Sequence, residues 1–267
     1  MARTRGTWNT RGTWLAGGAL AAVLALTGYA VLVGGDDGGE AAGKSRGTPS
    51  ASSSAPASPA PSYTTPKDWT EPARWAALPR GERTDKYGSE VGYPHTTEGA
   101  VAMGVSATNT SVEPGQDASD GQMRVYRSYL SAADHSAEAE KRNEQAGRQT
   151  DQQVRRQMGV PADGALPAGS YVRTTVIGFK VLKESKDEVS FWLLGRVVTK
   201  KGELEKESTE YIRSLMGAVW ESGDWRLSGI ATARAQEQQA GVSKPGMAVP
   251  GDAKFNEYGW VAIREAS

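Results

Sequence analysis

About 20 consecutive residues without a charge, WLAGGALAAVLALTGYAVLV (Trp14–Val33), constrain this chain more than any other feature. As a helix rising about 1.5 Å per residue, such a run crosses the roughly 30 Å hydrocarbon core of a bilayer. Its flanks orient it. Arg3, Arg5 and Arg11 precede it, and Asp36, Asp37 and Glu40 follow. Short Arg-rich flanks stay on the cytoplasmic side. The sequence therefore predicts a cytoplasmic tail over 1–13, a transmembrane helix over 14–33 and everything later outside, in a single-pass cell-membrane protein. A cleaved signal peptide is the alternative. Its apolar core would be about 7–15 residues, ending in a small-residue cleavage site. This run is longer and GEAAGKS is a weak site, which favours a retained anchor contacting lipid through 14–33. The repeated RGTW (Arg5–Trp8 and Arg11–Trp14) is an accidental repeat or an interfacial sequence, with Arg on the cytoplasmic side and Trp at headgroup level.

GGEAAGKS (Gly38–Ser45) matches the phosphate-binding loop pattern letter for letter. That loop works only between a buried strand and a helix whose N-terminus faces the anion. Here a membrane-length run precedes it. RGTPSASSSAPASPAPSYTTP (46–66) follows, and its prolines and serines forbid a helix. The match is read as chance, and no nucleotide is expected. Residues 34–66, rich in Ala, Ser, Pro and Gly, cannot bury enough apolar surface to offset chain entropy. They are read as a disordered tether, extended at about 3 Å per residue where polyproline-like.

Composition narrows the chemistry. Lys plus Arg and Asp plus Glu number 31 each, so no nucleic-acid-binding surface is expected. With no cysteine there is no disulfide, thiol nucleophile, thiolate metal site or lipid-modified cysteine. The two histidines, His95 and His135, lie far apart and neither sits in a dense ligand cluster. No catalytic, cofactor-binding or metal-binding residue is assigned.

Residues 67–231 read as an extracytoplasmic α+β domain. GYPHTTEGAVAMGVSATNT predicts a turn and a helix capped by Thr96 or Thr97, with Glu98 in its first turn and Val101 and Val105 on one face. DGQMRVYRSYLSAA predicts a second helix with an apolar stripe of Met123, Tyr126 and Leu130. SAEAEKRNEQAGRQTDQQVRRQM predicts a third, largely solvated helix with Ala139, Ala146 and Val154 turned inward. The period then changes to that of strands, over 170–182, 188–198, 203–221 and 224–230. The middle of 188–198 is apolar on both faces, as a central strand would be. Helices followed by four antiparallel strands suggest a curved four-stranded sheet wrapped around helices, a cone.

The last hairpin can be registered by arithmetic. With Ser222-Gly223 as a two-residue turn, Glu221 faces Asp224, Trp220 faces Trp225, Ala218 faces Leu227 and Met216 faces Gly229. Trp220, Trp225, Leu227 and Met216 then share one face, expected to pack on the core. The residues from 232 to 267 form a Gly/Pro-punctuated tail ending in KFNEYGWVAI, with Phe255, Tyr258 and Trp260. Folding back as a strand or short helix is the favoured reading, and docking on a partner is the other.

RWAALPRG, VGYPHTTEGAVAMG, VWESGDWRL and KFNEYGWVAI carry a resemblance to actinobacterial membrane-anchored proteins of conjugative elements. The layout is similar to the bitopic assembly component of type IV secretion systems, whose outer domain has the nuclear-transport-factor-2-like fold. The resemblance implies that fold, a non-enzymatic scaffold, and partners among other membrane channel or transfer proteins and copies of itself. Scaffolds of actinobacterial lipid-import complexes share the same layout. Two further readings stay open. One is a cone-fold enzyme using His95 with Glu98, or Tyr171 with Asp187. The other is a cell-wall-binding module, which requires Trp192, Trp220 or Trp225 to face solvent.

Overall fold

The computed structural model of the chain describes residues 68–264. The cytoplasmic tail, the transmembrane helix at 14–33, the linker and the Gly38–Ser45 match lie outside the described residues. No helix among the described residues is long and apolar enough to cross a membrane.

The described chain is α+β. Its strands are β1 (Trp75–Ala77), β2 (Arg83–Thr84), β3 (Glu90–Val91), β4 (Thr110–Val112), β5 (Tyr171–Glu184), β6 (Glu188–Lys200), β7 (Ser208–Glu221), β8 (Asp224–Leu227) and β9 (Val261–Arg264). Its helices are α1 (Thr97–Thr108), α2 (Ala118–Tyr129), α3 (Ala137–Gln157), α4 (Gly229–Gln238) and α5 (Ala253–Glu257). The main sheet has seven strands, ordered β1-β9-β5-β6-β7-β8, with β4 also on β5; β2 and β3 form a separate pair. The expected four-stranded sheet is therefore a correction. Its four strands are β5 to β8, joined by β1 and β4, which sequence patterning missed, and by β9 in the tail expected to fold back as a strand or short helix. β1, β4 and β9 are three or four residues long, too short for alternation to register. The expected domain boundary at 231 falls inside α4, and β9 inserts between β1 and β5.

Two further boundaries move. Residues 203–207 belong to the loop before β7 rather than to the strand, and Leu204 there is wholly exposed. β8 stops at Leu227, so Met216 has no strand partner on that side among the described residues and the expected pairing with Gly229 is absent; its strand partner is Phe191 of β6. Ser228 diverts the chain. Its N–H donates to the Gly217 carbonyl at 2.9 Å, and its side chain caps α4 by accepting from Ala231 N.

The remaining hairpin register is Ala218↔Leu227, Trp220↔Trp225 and Glu221↔Asp224. Ser222 (φ 54°) and Gly223 (φ 82°) make the turn, the left-handed pair that matches strand twist. Curvature enters through β5, whose register shifts between Val176 and Gly178 and again between Val181 and Lys183. β7 instead runs one-to-one against β6 from Ser208 to Val219.

Alternation along β6 buries both faces. Phe191 and Leu193 meet α1 in a core with Val101, Met103, Tyr129, Trp225 and Leu227. Trp192 and Leu194 turn the other way, onto Ala248, Phe255 and Trp260. Full burial of each large apolar side chain is worth about 2–3 kcal/mol. Thr96 is the cap of α1, accepting from Gly99 N at 3.1 Å. Gly104 on α1 lets Phe191 approach so closely that a Cβ there would lie 2.7 Å from its ring.

Helix α3 is less solvated than its composition suggests. Ala139, Ala146 and Val154 are buried, but so are Asn143, Thr150 and Asp151. Asp151 accepts from Ala118 N at 2.6 Å. It thereby caps α2 from a neighbouring helix, a bond that the N-cap residue Asp117 does not make.

Candidate functional site

Side chains of the kind that do chemistry gather at one end of the sheet. There the segment before α1 meets the β5–β6 turn and the β7–β8 hairpin. Asp224 anchors the assembly. Its side chain is 2% exposed and accepts from Gly92 N at 2.7 Å and Tyr93 N at 3.0 Å. The guanidinium groups of Arg226 at 3.7 Å and Arg83 at 4.0 Å balance its charge. The Trp225 indole N–H donates to the Pro94 carbonyl at 2.9 Å. Two residues of the hairpin thus hold the chain that delivers His95.

The His95 ring stacks on Trp220, with centroids 3.9 Å apart and planes 8° from parallel. Its Nε2 lies 2.7 Å from the Lys186 carbonyl and 3.0 Å from Asp187 Oδ1. Every polar contact of this histidine therefore runs to the β5–β6 turn. The arrangement is a fastening between loops: the carboxylate is engaged by the imidazole, and Trp220 covers one ring face.

The expected pairs come apart. His95 meets Asp187, not Glu98, while Tyr171 donates to Glu207, not Asp187. Tyr171 opens β5 and Asp187 lies beyond its other end, so the length of the strand separates them. Glu98 instead lines a groove of about 660 Å³ between the first turn of α1 and the β1, β9 and β5 strands. Three of the groove's charged groups, Glu184, Lys180 and Arg74, are tied to its walls. Thr97 Oγ1 donates to Glu184 at 2.8 Å, Lys180 to the Tyr258 carbonyl at 2.9 Å and Arg74 to the Gly259 carbonyl at 2.7 Å. Burial raises the Tyr93 phenol far above its ordinary pKa, and its hydroxyl lies 2.7 Å from Ser106 Oγ. The buried Tyr129 phenol is shifted the same way. Both therefore stay protonated at neutral pH. Among the described residues, no group of three or more His, Asp or Glu side chains is placed to hold a metal ion.

The aromatic residues that a polymer-gripping surface would need are mostly inside. Trp192 is 5% and Trp225 1% exposed, and Trp220 is half-buried beneath His95. Asp224 and Asp151, the two buried carboxylates on backbone N–H groups, escaped the sequence reading. The only local signal for Asp224 is its place directly after the Ser-Gly turn. Comparison with protein-family models finds no match, and neither do comparisons with curated proteins and with solved structures.

Proposed function

We propose that this chain is a non-enzymatic, membrane-anchored scaffold of a conjugation or type IV secretion-like transfer channel. Its domain stands outside the cell membrane on a Pro/Ser tether and holds other membrane channel proteins. One observation carries the reading against an enzyme: apart from the groove at the first turn of α1, the space between α1 and the sheet is packed with side chains. Met103, Phe191, Leu193 and Trp225 are essentially fully buried there. Polar groups that could serve acid–base chemistry, His95 with Asp187 and Thr97 with Glu184, are paired as fastenings. The membrane-length apolar run and the four stretches resembling conjugative-element proteins support the anchoring and the type of assembly.

The test is mild detergent extraction of the tagged full-length chain from its native membranes, with identification of what accompanies it. A secretion or DNA-translocating ATPase together with polytopic channel proteins is the expected set. Recovery of lipid-import components would move the scaffold to that other class of complex. A chain recovered alone, with a small molecule held in the groove beside Glu98, would overturn the scaffold reading.

A further inference from the structure

β7 has one edge that no strand of the described residues covers. β8 pairs only with Ala218–Glu221. At Gly217 the outward backbone groups are closed, the N–H donating to Thr232 Oγ1 at 2.7 Å and the carbonyl accepting from Ser228 N. Those bonds fix the phase. Within a strand, alternate residues direct both backbone groups to the same side. Since β7 runs one-to-one against β6 without a bulge, Thr209, Tyr211, Arg213 and Leu215 present N–H and C=O groups away from β6, as Gly217 does. No backbone-to-backbone hydrogen bond among the described residues reaches them.

Proteins blunt such edges with proline, lysine, bulges or short strands. Over Ser208–Leu215 β7 has no proline, lysine or bulge, and it is 14 residues long; its charges there are Glu210 on the inner face and Arg213, which donates to the Pro245 carbonyl at 3.1 Å. The chain's own linker is a poor occupant, because Pro56, Pro59, Pro61 and Pro66 lack the N–H a ladder needs.

We propose that this edge pairs with the same edge of a second copy, antiparallel, about a twofold axis at Ile212. The register is self-complementary. Tyr211 opposes the partner's Arg213 as a hydrogen-bonded pair, placing a guanidinium beside an aromatic ring. Thr209 opposes the partner's Leu215 in the same way. On the inner face Glu210 opposes the partner's Ser214, in the closer, non-hydrogen-bonded spacing. Both of these await a partner within one copy: Ser214 Oγ is buried without one, and burial raises the Glu210 carboxyl.

The flanks agree. Leu204, wholly exposed in the loop before β7, and Ile230, 58% exposed at the start of α4, lie beyond opposite ends of the free edge. Twofold pairing brings the loop of one copy alongside the α4 start of the other, covering both. This pairing is independent of what the domain scaffolds.

The chain lacks cysteine, so introduced pairs can report the register. Full-length protein in mild detergent is oxidised with copper phenanthroline after its mass is measured by sedimentation. Expected are a dimer and an intermolecular disulfide in Ile212→Cys, whose Cα atoms meet at about 4.5 Å, inside bridging range. Glu210→Cys, separated from its own copy by roughly 13 Å along the strands, stays uncrosslinked. If Ile212→Cys disturbs the core, co-expressed Tyr211→Cys and Arg213→Cys chains replace it; they crosslink to each other and neither to itself. A monomer throughout, or a dimer in which Glu210→Cys crosslinks and the other pairs do not, overturns the proposal.

Discussion

Asp224 takes up the backbone N–H groups of Gly92 and Tyr93, residues that lie more than a hundred positions earlier in the chain, at 2.7 and 3.0 Å. Removing the carboxylate takes the acceptor from three buried backbone donors, those of Gly92 and Tyr93 and the Trp225 N–H 2.9 Å from Oδ1. Each costs about 1–3 kcal/mol. Asp224→Ala is expected to lower stability by about 3 kcal/mol in urea unfolding. Asp224→Asn, which keeps one acceptor oxygen, is expected to lose about half of that.

Stacking of His95 on Trp220 is a coupling that a double-mutant cycle can read. His95→Ala and Trp220→Ala should each destabilise. Their double mutant should fall short of the sum by about 1 kcal/mol, the usual worth of a stacked aromatic pair. An additive double mutant would mean that the stack contributes only burial.

Acid stability should depend on Asp85. Burial alone pushes its carboxyl up, but the Ser89 and Tyr87 N–H groups, each 2.9 Å away, together with the Ser128 hydroxyl and the Arg226 charge, outweigh that and leave its pKa below the ordinary value. Folding thus binds fewer protons here than the unfolded chain does. The stabilisation is complete above the unfolded pKa of about 3.9 and is lost as pH falls through the lower folded value. Asp85→Asn should cost about 1 kcal/mol at pH 7. The gap to the parent should close in urea titrations carried down through pH 4 toward pH 2.

Two glycines should respond oppositely to alanine. At Gly217 a Cβ would lie 2.5 Å from backbone atoms of Ala231 and Thr232. Gly217→Ala must push α4 off the sheet, at about 3 kcal/mol. Gly121 sits in α2 with nothing within 4 Å of its missing Cβ. Gly121→Ala should raise stability by about 0.5–1 kcal/mol through helix propensity. Thermal unfolding of the two variants side by side reads both signs.

What could be read from the sequence was local. Ser222-Gly223 fixed the β7–β8 register, because a two-residue turn leaves one alignment for the strands beside it. Thr96 and Glu98 marked the start of α1 through short-range chemistry. Beyond Leu227 the same local logic failed. Ser228 to Ile230 continue a strand-like pattern, yet the Ser228 side chain starts a helix there. The site was illegible for a related reason. His95 finds Asp187 from another hairpin, and Asp224 finds the segment before α1, more than a hundred positions away. Neither pairing has a signature in spacing, since only the folded sheet brings them together. The short strand β9 exists because β5 offers it an edge, and β1 because β9 does in turn, not through any preference of three or four residues.

β1 lies parallel to β9, with Trp75 beside Ala262. The first strand described and the last are therefore neighbours, and β9 alone joins β1 to β5. During synthesis β1 emerges early and must wait for nearly the whole domain before its partner exists. Until then β5 carries a raw margin at Gly178 and Phe179, where β9 will sit, and Trp192 lacks the cover of Phe255 and Trp260. Closure of the sheet thus reports that the chain has been delivered through β9. Chains interrupted before Val261 would display sticky apolar surface for quality-control proteases and chaperones to recognise.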